Sequence, residues 1–128
     1  MKKIAIGVIL VIVAAFVANF IASKSGADSL PGKYDQFAEC TKEKGAIFYG
    51  AFWCSHCEAQ KKLFGSSTKF LKYVECSSPD GKSQTAECLA KGVKTYPTWM
   101  YADGTSESGG QSLEHLSEKT GCPLPATQ

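Results

Sequence analysis

The sequence predicts a small α/β domain, with a central mixed β-sheet flanked by helices, preceded by a single N-terminal transmembrane helix. Three observations lead to this prediction. An uncharged, mostly apolar run extends from Ile4 to Ala22, and the rest of the chain alternates short apolar segments with segments of helical periodicity. One of those apolar segments runs directly into Cys-Ser-His-Cys at the start of a helical pattern. The chain has 128 residues, so the part beyond the apolar run has the size of one domain.

The N-terminal apolar run has the length of a membrane-spanning helix. A helix over Ile4 to Ala22 would be about 28 Å long, close to the thickness of the hydrocarbon core of a bilayer. Lys2 and Lys3 precede it, which favours an N-in, C-out orientation. We therefore expect residues 1–22 to be an uncleaved signal anchor, with a cleaved signal peptide or a buried core helix as alternatives. This predicts a single-pass protein of the cell membrane whose folded domain is extracytoplasmic, in the periplasm or at the cell exterior.

Beyond the anchor, the sequence predicts a tether and one neutral domain. Residues 23–32 are rich in Ser and Gly, so we predict a flexible tether there and a folded domain over residues 33–128. The chain has no Arg, and without Lys2 and Lys3 its basic residues only balance its 12 acidic ones. A neutral domain without Arg is a poor candidate for binding a phosphate backbone, so we expect no nucleic-acid partner.

The domain is predicted to contain four helices and four strands in the order helix, strand, helix, strand, helix, strand, strand, helix. The predicted helices have apolar side chains at helical spacing or a glycine after the last turn: 33–44, 55–64, 85–91 and 112–120. The predicted strands are short and mostly apolar, the last two joined by an Asp-Gly turn: 46–52, 70–76, 96–101 and 105–108. This order is that of a thioredoxin-like fold, and it places the Cys-x-x-Cys at the carboxyl end of the first strand.

Cys54 and Cys57 predict a thiol–disulfide exchange site. A thiol at a helix N-terminus has its thiolate favoured by unpaired N–H groups and by the helix dipole, and the thiolate is the form that attacks disulfides. We therefore assign Cys54 as the attacking thiol that forms mixed disulfides, and Cys57, one turn later, as the thiol that resolves them. The alternatives are a structural disulfide or half of a zinc site. A zinc ribbon needs a second Cys-x-x-Cys, which the sequence lacks, so no metal is expected.

Residues within and beside this motif are expected to support the exchange. His56 lies between the two thiols, where it can offer the Cys54 thiolate a hydrogen bond or a positive charge. A stabilised thiolate stabilises the reduced form, and this makes the disulfide a stronger oxidant. Trp53 is expected to shield the site and to give substrates an apolar surface.

A proline further along the chain is predicted to face the two thiols. In thioredoxin-like proteins a cis proline lies opposite the Cys-x-x-Cys, and the backbone of its neighbour pairs with the bound substrate. Tyr96-Pro97-Thr98 fits that position by its order in the chain and by the strand that follows. We predict a cis peptide bond before Pro97, with an ordinary trans turn proline as the alternative.

The six cysteines leave four outside the motif, and an even number in an exported domain suggests disulfides. Cys76 and Cys88 flank a turn-rich loop, and a bond between them would contribute about 3 kcal/mol by chain entropy. Either it pins the loop, or it is a second redox pair that relays electrons to the Cys-x-x-Cys. Cys40 and Cys122 remain, and their bond would tie the first helix to the end of the chain. Free thiols are the alternative for this second pair.

Several segments together resemble the thioredoxin-like domain that accompanies bacterial vitamin K epoxide reductase homologues. The resemblance begins with Tyr49 to Cys57 (YGAFWCSHC) and continues with Gln60 to Gly65 (QKKLFG). It extends to further segments that match in order and type: Tyr73-Val74-Glu75-Cys76, Cys88, Tyr96-Pro97-Thr98-Trp99, Ser112-Leu113 and Thr120-Gly121-Cys122. The match covers about residues 34–124, nearly all of the predicted domain.

The resemblance implies a disulfide-forming oxidoreductase. Thiols of exported proteins would be its substrates, and the Cys54–Cys57 disulfide, with no other cofactor, would oxidise them. The electrons would then pass to a quinone-reducing membrane partner of the vitamin K epoxide reductase type, and the 76–88 bond would be structural. Ser55 replaces the Pro often found before the His of this motif. The buried acid common before the site in thioredoxin itself is absent from residues 47–52, which argues against a thioredoxin-type reductase.

Two other functions remain open from the sequence. The first is a disulfide isomerase or reductase of the same fold, whose two active-site thiols would be kept reduced by a membrane donor. The second is a non-catalytic binding module in which all six cysteines are structural. The redox state and the reactivity of the Cys-x-x-Cys distinguish these functions from an oxidase.

Overall fold

The computed structural model describes residues 31–126. The predicted anchor over residues 1–22 and all but the last two residues of the predicted tether lie outside this range. None of the helices between residues 31 and 126 is both long enough and apolar enough to cross a membrane.

The described residues form helices and strands in the order that the sequence predicts. The helices are α1 (Asp35–Glu43), α2 (Ser55–Phe64), α3 (Ala86–Ala90) and α4 (Leu113–Thr120). The strands are β1 (Ile47–Gly50), β2 (Tyr73–Glu75), β3 (Thr98–Met100) and β4 (Ser106–Ser108). All four strands are shorter than predicted, because residues at the ends of the predicted segments lie outside the ladder.

One element was not predicted. A 3-10 helix, Gly65–Phe70, follows α2 directly, so Phe70 does not begin the second strand. Gly65 has a φ of 56°, a conformation that favours glycine, and it ends the α-helical hydrogen-bonding pattern. The hydroxyl of Thr68 then donates to the carbonyl oxygen of Lys61 at 2.8 Å, which holds the new turn against α2.

The four strands form one mixed sheet in the order β2-β1-β3-β4. β1 is parallel to β2 and antiparallel to β3, and β4 is the antiparallel edge next to β3. α2 is the crossover between the two parallel strands. This mixed four-stranded sheet with flanking helices is an α/β arrangement of the thioredoxin-like type. It brings the end of β1 and the beginning of α2 together at one edge.

The alternation of side chains along β1 produces an apolar cluster on each face of the sheet. Phe48 stacks on Trp99 with ring centroids 5.0 Å apart, and Phe64 packs against the same indole. Tyr49 points to the opposite face, where it packs with three other buried residues: Cys76, Cys88 and Val93. The first face carries α2 and therefore the Cys-x-x-Cys.

Two disulfides connect helices to other parts of the described domain. Cys40 of α1 is bonded to Cys122, just beyond α4, with their Cα atoms 5.9 Å apart. Cys76, at the end of β2, is bonded to Cys88 of α3, with a Cα separation of 5.6 Å. The first bond joins α1 to the C-terminal end of the domain. The second closes the loop that runs beside the Cys-x-x-Cys.

Candidate active site

Cys54 is the N-cap residue of α2. Its backbone is extended, and its Sγ accepts a hydrogen bond from the backbone N–H of Cys57 at 3.2 Å. The first N–H groups of a helix have no partner within the helix, and the dipole places partial positive charge there. Cys54 therefore lies at the helix terminus that the sequence pattern predicts for the attacking thiol, with a backbone N–H directed at its sulfur.

The two thiols differ in burial. The structure describes both as free thiols; Cys57 is completely buried, while Cys54 keeps 7% of its surface exposed. Burial, with a smaller effect from the neighbouring Cys54 side chain, raises the pKa of Cys57 to about 12. Cys57 is therefore protonated at neutral pH, and the accessible thiol at the helix terminus is Cys54.

Gly50 leaves the space in which Cys57 and a tyrosine meet. A Cβ on Gly50 would lie 2.9 Å from Cε2 of Tyr73 and 3.1 Å from Sγ of Cys57. Real Cβ atoms do not approach other heavy atoms as closely as the first of these distances. A side chain on the last residue of β1 would therefore crowd both Tyr73 of β2 and the buried thiol.

Tyr73 and Glu75 form a polar pair on the same face of β2. The Tyr73 hydroxyl donates to Oε2 of Glu75 at 2.7 Å. Oε1 of Glu75 accepts from the backbone N–H groups of Ser77 at 2.9 Å and Phe52 at 3.2 Å. Neither residue is among those predicted at the site from the sequence. The signal was the alternation in Tyr-Val-Glu, which puts Tyr73 and Glu75 on one face of a strand parallel to the one before the Cys-x-x-Cys.

Lys61 adds a positive charge beside this pair. Its Nζ lies 2.9 Å from Oε1 of Glu58, one turn earlier in α2, and 4.3 Å from the ring centroid of Tyr73. The charge of Lys61 opposes the effect of burial on the pKa of Cys57, but it is a smaller influence. The positive charge therefore lies on the Cys57 side of the helix.

Two aromatic side chains stand exposed at the entrance to the site. Phe52 and Trp53 keep 51% and 56% of their surface exposed. The indole N–H of Trp53 donates to Oγ of Ser77 at 2.9 Å, and its ring meets the ring of Tyr96 edge-on, with centroids 5.8 Å apart. Trp53 is thus held in one orientation while it offers an apolar surface next to Cys54.

The Tyr96–Pro97 peptide bond is cis, and Pro97 is fully buried. The segment before it faces the start of α2 across an open cleft of about 450 Å³. The lining of this cleft combines residues of both segments: Trp53, Cys54, Ser55, His56, Lys94, Thr95 and Tyr96. The structure therefore brings most of the predicted site residues to one place.

Thr98 and His56, two of the predicted supporting residues, make no hydrogen bond to Sγ of Cys54. The hydroxyl of Thr98 donates to the carbonyl oxygen of Thr95 at 2.7 Å, and its buried side chain does not line the cleft. His56 is exposed in the cleft, and the hydrogen bond that reaches Sγ of Cys54 comes from the N–H of Cys57 instead. The geometry thus assigns the first stabilisation of the Cys54 thiolate to the helix terminus.

Comparison with known proteins indicates the same chemistry. No protein-family model matches the chain. The chain is 44% identical over 85 residues to thiol-disulfide oxidoreductase LTO1 of Arabidopsis thaliana, an alignment that covers 62% of this chain and 22% of the relative. It is 29% identical over 124 residues to protein disulfide-isomerase erp38 of Neurospora crassa, which covers 86% of this chain and 34% of the relative.

These relatives support a thioredoxin-like thiol–disulfide oxidoreductase as the class of the protein. The chain spans only about a third or less of the length of the relatives it matches. The association with vitamin K epoxide reductase homologues remains an implication of the sequence resemblance.

Proposed function

We propose that the chain is a membrane-anchored, extracytoplasmic thiol–disulfide oxidoreductase that forms disulfides in exported proteins. The observation that carries this proposal is the asymmetry of the two thiols. Cys54 is an N-cap residue in an open cleft, whereas Cys57 is buried behind it with a raised pKa. An exchange enzyme needs this division between a thiol that meets the substrate and a thiol that closes the internal disulfide.

In the oxidising direction, a substrate thiolate attacks Sγ of Cys54 in the Cys54–Cys57 disulfide. The internal bond breaks, a mixed disulfide forms with Cys54, and Cys57 leaves with the electron pair. A second substrate thiolate then attacks the substrate sulfur of the mixed disulfide, and Cys54 leaves as a thiolate. The substrate has gained a disulfide, and two electrons now reside on the Cys54–Cys57 dithiol.

The oxidising direction is supported by the position of Cys54. Stabilising its thiolate stabilises the reduced enzyme, and this raises the reduction potential of the disulfide. The resemblance supports a quinone-reducing membrane protein as the acceptor of the two electrons. The apolar run over residues 1–22 supports anchoring, and the two disulfides suit an oxidising compartment.

A disulfide isomerase is the second candidate, because one relative carries that name. An isomerase acts through the reduced dithiol, whereas an oxidase must rest in the disulfide form. Trapping the thiols of growing cells with an alkylating agent distinguishes the two. A Cys54–Cys57 pair found largely oxidised supports the oxidase, and a largely reduced pair supports the isomerase.

The first experiment is a redox titration of the full chain in detergent, followed by tryptophan fluorescence across glutathione buffers. Trp53 adjoins Cys54, so its emission should report the state of the pair. A potential of about −120 to −200 mV supports disulfide donation, and a value near about −270 mV indicates a thioredoxin-like reductant and refutes the oxidase proposal.

Single-cysteine variants test the assigned roles in the same preparation. Cys57→Ala should accumulate mixed disulfides through Cys54, because the resolving thiol is missing. Cys54→Ala should be inactive, since the buried Cys57 cannot meet a substrate. Full thiol-oxidation activity of Cys54→Ala would rule out this mechanism and would favour a non-catalytic module.

Anchoring is tested separately on cell fractions. The full chain should remain with the membrane after alkaline extraction, and a chain without residues 1–22 should not. After intact cells have been treated with a reductant that does not cross the membrane, a membrane-impermeant thiol reagent should label Cys54 if the domain is extracytoplasmic. Labelling only after lysis would contradict the proposed orientation.

A further inference from the structure

The buried thiol of Cys57 has to exchange a proton in every cycle of the proposed mechanism. Cys57 has to lose a proton before it attacks Cys54, and it has to regain one after it leaves in the opposite step. Its side chain is completely buried, and burial raises its pKa to about 12. Direct exchange with bulk water or hydroxide needs a transient opening of the domain, so a group inside the domain offers the proton a faster path.

The groups that could do so lie on the elements packed around Cys57. On α2 they are Cys54, which supplies the other sulfur, and Lys61, which is an ammonium with no free acceptor site. Before β3 there is Tyr96, whose ring packs against Trp53. On β2 there is Tyr73, and its hydroxyl already contacts a carboxylate.

Tyr73 is the neighbour best placed to take the proton. A Cβ atom added to Gly50 would lie 3.3 Å from the hydroxyl oxygen of Tyr73 and 3.1 Å from Sγ of Cys57. The two atoms are therefore no more than about 6.4 Å apart, a gap that one water molecule can bridge. The other contact of the hydroxyl is the 2.7 Å hydrogen bond that it donates to Oε2 of Glu75.

We propose that Tyr73 and Glu75 form a proton relay between Cys57 and solvent. In the resolving step Cys57 Sγ attacks Cys54 Sγ, the internal disulfide forms, and the bound thiol leaves with the electron pair of the broken bond. The proton of Cys57 passes to Oη of Tyr73 as the proton of Tyr73 passes to Oε2 of Glu75. The Glu75 carboxyl group then gives its proton to water, and the reverse path protonates Cys57 when it leaves. This inference rests on the proposed exchange function and assigns a role to residues outside the Cys-x-x-Cys.

The surroundings of the pair fit this role. Burial, and then the hydrogen bond to Glu75, raise the pKa of Tyr73, so the phenol stays neutral and hands on one proton as it accepts another. Glu75 is only half-buried and lies next to the exposed Phe52, so its carboxylate can exchange protons with solvent. Lys61, over the ring of Tyr73 and paired with Glu58, offsets the negative charge of Glu75 near the sulfur.

The test separates the two thiol steps in one stopped-flow experiment on the reduced full chain in detergent. An aromatic disulfide with a coloured thiol product reacts first with Cys54, at a rate proportional to reagent concentration. Cys57 then resolves the mixed disulfide in a second phase that is independent of reagent concentration. Tyr73→Phe should slow only the second phase, by about 10²-fold near pH 7, the usual effect of losing a general base.

A pH profile distinguishes a relay from a structural contact. In Tyr73→Phe the second phase should accelerate about tenfold per pH unit, as hydroxide replaces the relay, whereas the wild-type rate should change much less. Glu75→Gln keeps an acceptor for the N–H groups of Ser77 and Phe52 but removes the final proton acceptor. Glu75→Gln should reproduce the slow second phase. If Tyr73→Phe proves unstable, Glu75→Gln alone decides between a relay and a structural contact.

Tyr101→Phe is the matched control. The hydroxyl of Tyr101 also donates to a carboxylate, Oε2 of Glu107 at 2.9 Å, but it follows Met100, which pairs with Ile47 at the opposite end of β1 from Gly50. Both phases of this variant should match the wild type.

The outcomes separate the relay from the function on which it rests. The first outcome is a second phase whose rate in Tyr73→Phe and in Glu75→Gln is within twofold of the wild-type rate at every pH. This outcome overturns the relay and leaves the exchange function intact. A wild-type chain that shows no second phase, and behaves as Cys57→Ala does, overturns the exchange function itself.

Discussion

Replacing Gly50 by alanine tests whether the contact between β1, Tyr73 and Cys57 is as tight as the structure describes. The added Cβ would lie 2.9 Å from Cε2 of Tyr73, 3.1 Å from Sγ of Cys57 and 3.3 Å from the Tyr73 hydroxyl. Neither neighbour can move freely. The ring of Tyr73 packs edge-on against Phe48 with centroids 5.1 Å apart, and Cys57 is buried in the core.

Two opposing effects set the magnitude for Gly50→Ala. Alanine restricts the unfolded chain, which by itself would stabilise the domain by about 0.4–1 kcal/mol. Forcing a methyl group into a filled core costs about 1–3 kcal/mol. Overpacking wins, so we expect a net loss of about 1–2 kcal/mol in the free energy of unfolding. In a domain of this size each kcal/mol lowers the melting temperature by about 4–8 °C.

The assay is urea and thermal unfolding followed by circular dichroism, with both structural disulfides intact. Gly110→Ala is the control, because its Cβ would meet only Oε1 of Gln60 at 3.6 Å, an ordinary contact. We expect this control to be neutral or slightly stabilised. If Gly50→Ala is as stable as Gly110→Ala, then Tyr73 and Cys57 are not held against β1 as described, and the relay loses its geometric basis.

Three further predictions concern parts of the domain that support the site. Gln60→Leu should lower the free energy of unfolding in urea by about 2–4 kcal/mol, since its buried amide binds both the N–H and the carbonyl group of Gln111 and leucine leaves them unpaired. The double variant Cys40→Ala/Cys122→Ala should lose about 4.5 kcal/mol by chain entropy, because the bond spans a sequence separation of 82, and an unchanged urea midpoint would contradict this. Burial alone would raise the pKa of Glu107, but hydrogen bonds from a histidine and a tyrosine lower this pKa overall. The ionised Glu107 therefore adds stability that is complete above the unfolded pKa of 4.5 and is lost as the pH falls. Glu107→Gln should therefore flatten the decline in melting temperature on acidification, by an amount worth less than about 1 kcal/mol because the carboxylate is partly exposed.

The order of helices and strands could be predicted because it depends on local patterns. Helical spacing, short apolar runs and glycines mark each element wherever the chain goes. The ends of elements were less predictable. Phe70 looks like the first residue of an apolar strand, but the hydroxyl of Thr68 and the conformation of Gly65 draw it into a 3-10 helix instead.

Some residues of the candidate site could be predicted from local sequence, and others could not. Cys54 and Cys57 are neighbours in the sequence, and a motif that spans one helical turn can be read without knowing the fold. Tyr73 and Glu75 reach the site only because β2 pairs with β1 in a register that sets Glu75 opposite Gly50. A shift of one residue would turn both side chains to the other face of the sheet. The alternation in Tyr-Val-Glu places both side chains on one face of the strand, but which face meets the Cys-x-x-Cys depends on the register, a tertiary property.

The end of β2 connects the buried 76–88 disulfide to the Cys54–Cys57 site. Three consecutive residues there have three separate tasks: Glu75 contacts Tyr73, Cys76 is bonded to α3, and Ser77 holds the indole of Trp53. Both sulfurs of the 76–88 bond are completely buried, so substrates cannot attack it, and we interpret it as structural rather than as a second redox pair. Because it anchors the residue between Glu75 and Ser77, it fixes the proton acceptor and the entrance tryptophan together. A variant without this bond should therefore lose catalytic rate as well as stability.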